Sequence, residues 1–128
     1  MAPVFLSLDE VIEIHWDMIE RYGGSAGIRD MGLLQSAVAM PQAGLGNEFL
    51  HGDLFEMAAA YLFHIVQNHP FIDGNKRVGS MAAFTFLTLN GLTLAAPETD
   101  FELVVLEVAR GRLNKAAIVE FLKTYSHR

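Results

Sequence analysis

Apolar residues recur along this chain at helical spacing, in blocks separated by short segments rich in glycine and polar residues. Ser7, three residues before Glu10, forms a capping-box pattern. Beyond it Val11, Ile12, His15, Ile19 and Tyr22 keep one face until Gly23-Gly24, which predicts a helix over residues 8–22. Asp30 is an N-cap for a short helix through "MGLLQSAVAM" that stops before Pro41. Residues 41–52 carry no helical period and read as a small hairpin or flap. Asp53 caps "LFEMAAAYLFHIVQN", apolar almost all the way round and therefore expected at the centre of the fold, with Pro70 helping to end it. "KRVGSMAAFTFLTLN" repeats that character and stops at Asn90-Gly91. "PETDFELVVLEVARG" and "NKAAIVEFLKTYSH" are amphipathic, with Gly111 ending the first and Asn114 capping the second. The expected architecture is all-α: about six helices with short connections, in a single domain covering residues 1–128.

Composition narrows the class. Hydrophobic residues make up 52% and charged residues 19% of the 128, which suits a folded globule. The net charge of −6 argues against a general nucleic-acid binder, because neutralising phosphates takes clustered Lys and Arg, while leaving room for a local cationic pocket. The absence of cysteine removes disulfides and thiolate chemistry and fits a reducing cytoplasm. "MAPVFLSLDE" lacks a secretory signal, and no segment reaches the roughly 18 uninterrupted apolar residues of a membrane span, so a cytoplasmic protein is expected.

Candidate chemistry is concentrated in "HPFIDGNKR", residues 69–77, between the two most apolar helices. A plain turn needs only a pair such as Asp73-Gly74 and a cap. Here the following helix begins near Asn75, so its free N–H groups and positive dipole end suit an anion such as phosphate. Lys76 and Arg77 add cations where the dipole disfavours them, which also points to an anionic ligand. Asp73 offers a hard oxygen for magnesium, and His69 an imidazole that can serve as general base. A base, a metal carboxylate and preorganised positive charge are the parts that phosphoryl-type transfer requires.

"HPFIDGNKR" resembles the signature of the Fic/Doc superfamily, whose Fic branch reads H-P-F-x-[D/E]-G-N-G-R-x-x-R. The likeness runs from about Leu8 to Gly91 through "RYGGSAGIRD", "GLLQSAVAMPQ" and "DLFEMAAAYLFHIVQNHPF", and less distinctively into "ARGRLNKAAIVEFL". Lys76 stands where the Fic branch has its second glycine, and Ser80 where it has its final arginine. The Doc (death-on-curing) branch shares this N-K-R. The resemblance therefore implies a toxin kinase that transfers the γ-phosphate of ATP to a threonine of elongation factor Tu and arrests translation. Fic-type AMP transfer is the alternative, and a non-catalytic nucleotide- or partner-binding protein a third. By position, the resemblance makes His69 the general base, Asp73 the Mg2+ ligand, and Gly74, Asn75, Lys76 and Arg77 the phosphate-binding group. Phe71 is a core anchor, and Phe49 and Leu50 fall in a flap that docks the target. The S/T-x-x-x-E-G/N inhibitory motif of some Fic proteins is absent from the sequence, so the expected restraint is a separate Phd-like antitoxin.

The remaining histidines suggest structure. His64 and His69 are five apart, a poor spacing for two ligands on one helical face, and His15, His51 and His127 lack acidic or histidine neighbours at ligand spacing.

Overall fold

The computed structural model describes residues 2–128. Its helices are α1 (Leu8–Tyr22), α2 (Met31–Ala39), α3 (Leu54–Asn68), α4 (Asn75–Leu89), α5 (Glu98–Ala109) and α6 (Lys115–Tyr125). A 3-10 turn at Met40–Gln42 follows α2, and four two-residue strands form two antiparallel pairs: β1 (Gly44–Leu45) with β2 (Glu48–Phe49), and β3 (Thr93–Leu94) with β4 (Ser126–His127). No described helix is long and apolar enough to cross a membrane.

The expected caps begin the helices. Ser7 Oγ accepts from Glu10 N–H at 3.1 Å, while Glu10 Oε1 accepts from Ser7 N–H at 2.9 Å, completing the capping box. Asp30, Asp53 and Asn114 accept from the third residue beyond each of them. One end differs from expectation. The last helix stops at Tyr125, because Ser126 and His127 pair with Leu94 and Thr93 and the Tyr125 carbonyl accepts from Ala95 N–H at 2.8 Å. Pairing with β3 takes the place of two further residues of helix.

α3 and α4 form the centre. Ala58, Ala59, Tyr61, Leu62 and Ile65 of α3 are buried with Val78, Ala82, Ala83, Phe86 and Leu87 of α4. Their backbones approach closely at Gly79, where a Cβ would lie 2.7 Å from Val66 Cγ2 and 3.3 Å from the Leu62 carbonyl. α1 packs on α4, α2 and α6 pack on α3, and α5 touches both central helices. Tyr61 hydroxyl accepts from Leu6 N–H at 2.8 Å, stapling the segment before α1 to α3, and burial pushes its phenol up to about 12.

A part-buried polar knot joins α6 to α3 and to His51, two residues before the α3 cap. Lys115 Nζ lies 3.0 Å from His64 Nε2 and 3.3 Å from His51 Nε2. An ammonium only donates, so both imidazoles accept and are neutral. Burial, then the Lys115 charge, pushes both below the ordinary 6.5; for His64, His51 adds to this and the value is about 4, while for His51, Glu56 opposes the fall. The unfolded chain therefore binds more protons than the folded one between 6.5 and about 4, so stability falls as pH drops through that window. Thermal melts in a pH series should show a midpoint that declines from pH 6.5 towards pH 4. A midpoint that rose on acidification would contradict the neutral pair.

Candidate active site

The loop between α3 and α4 starts from an unusual residue. α3 ends as His69 turns into the left-handed region (φ 50°, ψ 53°), the one non-glycine residue with positive φ among the described residues. Glycine ordinarily takes this helix-ending conformation. In other residues it costs about 1–3 kcal/mol and persists only where the surroundings enforce it.

Those surroundings come from the segment between α1 and α2. Arg29 Nε donates to the His69 carbonyl at 2.7 Å and Arg29 Nη2 to the Asn68 carbonyl at 2.9 Å. The Pro70 carbonyl accepts from the N–H groups of Arg29 (2.7 Å) and Asp30 (3.0 Å), and Ile72 N–H donates to the Gly27 carbonyl at 3.0 Å. Below this strand-like contact, the fully buried Phe71 stacks on His15 of α1, with ring centroids 4.0 Å apart and planes 6° from parallel. His15 Nε2 lies 3.1 Å from the Asp73 carbonyl and so carries the proton in that bond, while burial lowers the pKa of the ring.

Asn75 turns inward. The residue is 4% exposed, with Oδ1 accepting from Phe71 N–H at 2.9 Å and Nδ2 donating to the Phe71 carbonyl at 3.0 Å. Both ends of the amide are thus bound to the backbone of one residue, Phe71. The side chain fixes the loop, and Asn75 presents its backbone N–H at the start of α4.

The outer face of the loop is polar and open: His69, Asp73, Lys76 and Arg77 are exposed. Gly74 is the N-cap of α4 at φ 82°, and no side chain caps that helix start. Asp73 Oδ1 accepts from Gly74 N–H at 2.9 Å and Oδ2 from Ser25 N–H at 3.2 Å. These two bonds, helped by the Lys76 and Arg77 charges, hold its carboxyl below the usual carboxylate range. Each carboxylate oxygen has a second lone pair beyond the one used, so the group suits a magnesium ion, and the uncapped helix start beside two cations suits phosphate. Gly24 is required here, since at its φ of 111° a Cβ would sit 2.6 Å from Asp73 Oδ2. The Arg77 guanidinium lies over the Tyr22 ring, 4.4 Å from its centroid.

Phe49 and Leu50 lie at the β1–β2 hairpin, a separate element. Leu50 and Leu45 are exposed, and the part-exposed Phe49 ring packs edge-on to Phe5 at 5.5 Å. Ser25 and Arg29, which touch the loop or its side chains, are not singled out by sequence patterning, and Tyr22 enters there only as part of a helical face. The signal available was the segment "RYGGSAGIRD" itself, a loop with no helical period of its own that nonetheless shares in the family likeness.

The Fic/DOC family model matches residues 5–87, spanning α1 through most of α4 and the whole of this loop. The chain belongs to the Fic/DOC family. Its helical bundle, with two short antiparallel strand pairs, is the Fic architecture expected from the sequence. It is 47% identical over 75 residues to Toxin Doc of Mycolicibacterium smegmatis (strain ATCC 700084 / mc(2)155), covering 59% of this chain and 58% of that protein, less than two thirds of its length. It is also 32% identical over 118 residues to Protein kinase doc of Escherichia phage P1, covering 92% of each chain. Both relatives place this Fic/DOC protein beside the Doc toxins.

Proposed function

We propose that the protein is a Doc-type toxin kinase acting in the cytoplasm, transferring the γ-phosphate of ATP to a threonine of elongation factor Tu and thereby arresting translation. The observation that carries this reading is Lys76, exposed in the first turn of α4 where the Fic branch has glycine. A side chain there crowds the approach of phosphates to the backbone that AMP transfer uses. The similarity to a protein named a protein kinase supports the same choice.

In this reading His69 takes the proton of the target hydroxyl as that oxygen attacks the γ-phosphorus; the bond from phosphorus to the β–γ bridging oxygen breaks and ADP leaves. The N–H groups at the start of α4, with Gly74 allowing the turn and Lys76 and Arg77 beside it, bind and orient the phosphates. Asp73 is the group that would hold magnesium, which supplies neutralisation of phosphate charge. Phe49 and Leu50 are the apolar contacts for the target segment, and a Phd-like antitoxin is the restraint.

Incubation with elongation factor Tu and ATP labelled at either the γ or the α position tests the assignment. Label entering the factor from the γ position alone is expected. Label from the α position alone would make the protein an AMP transferase, and nucleotide binding with no transfer would make it a binding module.

A further inference from the structure

We infer that Arg29 is the positioning residue for His69, holding its backbone in the left-handed conformation from which the imidazole meets the target hydroxyl; this rests on the role of His69 proposed above. Among the described residues, no hydrogen bond holds the His69 imidazole itself, so where the ring sits is set by its backbone. That backbone adopts a conformation that histidine does not favour without support.

Arg29 supplies the support at three successive carbonyls. Its guanidinium donates to Asn68 (2.9 Å) and His69 (2.7 Å), and its own N–H donates to Pro70 (2.7 Å). The last carbonyls of a helix have no partners within it, and the C-terminal end carries partial negative charge. A planar, permanently charged fork suits two adjacent carbonyls in a way that a single ammonium does not. The contact bridges 40 residues of sequence, so it ties the end of α3 to the segment between α1 and α2. Arg29 is exposed and is not part of the packed core, so its removal acts on the geometry of the loop.

The test compares wild type with Arg29→Met and Arg29→Lys. For Arg29→Met, kcat for γ-phosphate transfer is expected to fall about 10- to 100-fold, the range that small misplacement of a reacting group produces. The KM for ATP should stay within about twofold, because the phosphate-binding groups lie on α4 and are not Arg29's charges. Arg29→Lys should recover part of the loss by serving one carbonyl. An unchanged kcat would overturn the inference, as would a KM for ATP that rose in proportion to the loss, which would make Arg29 a phosphate ligand. A second measurement needs no activity: in NMR spectra of the folded variants, the amide signals and backbone coupling of His69 should change while those of the α3–α4 core stay. Unchanged His69 signals in Arg29→Met would also overturn it. A wild-type protein that transfers no phosphate would sink the kinase reading and leave the spectra to decide the role of Arg29.

Discussion

Replacing His69 by alanine is expected to lower γ-phosphate transfer by about 10²- to 10⁴-fold, the usual contribution of a positioned general base. The side chain is exposed, and the hydrogen bonds at this position run through its carbonyl to Arg29 and through its N–H to the Ile65 carbonyl. Alanine keeps both backbone groups and removes only the imidazole. Nucleotide affinity should therefore be retained, since the helix start, Lys76 and Arg77 are untouched. Single-turnover transfer measured beside ATP titration separates the two effects. Equal losses in affinity and turnover would assign His69 to binding and leave the reaction without a base.

The second large effect concerns stability. Phe71→Ala should destabilise the fold by about 3–5 kcal/mol, the range for deleting a buried aromatic ring. Phe71 is fully buried, its ring covers His15, and its N–H and carbonyl are the partners of both Asn75 amide atoms. A domain of this size has only about 5–15 kcal/mol in total, so the loss is a large share. Urea unfolding monitored by circular dichroism would measure it. A loss below about 1 kcal/mol would mean that the loop is not anchored through this ring. A change in ATP affinity in place of a change in stability would contradict the role of Phe71 as an anchor.

The helical framework was legible because its determinants are local. A capping box at Ser7 and Glu10, caps at Asp30, Asp53 and Asn114, and glycines after α1 and α5 act within a few residues of the ends they set. The motif loop was legible as a cluster of chemistry, and its polar members do share an open face. What sequence could not supply was which side chains turn inward. The Asn75 amide turns inward, because the chain reverses so tightly at Phe71 that the amide satisfies both backbone groups of that buried residue. The contributions of Ser25 and Arg29 act across 48 and 40 residues, distances at which spacing rules carry no information. The β3–β4 pair was illegible for the same reason, since two residues show no alternation and their partners lie beyond two intervening helices.

The clasp of His15 and Ser25 on Asp73 has a consequence for when the site exists. Its bonds cross 58 and 48 residues, joining the first helix to the loop that precedes the fourth. His15 and Ser25 leave the ribosome before the motif does, yet the geometry of the loop waits until residues 69–77 have folded back onto them, and a chain that opens locally at α1 loses the same bonds. Competence thus belongs to the cooperative unit formed by α1, α3 and α4 together. The loop geometry on which the proposed transfer depends is then assembled only when that unit closes.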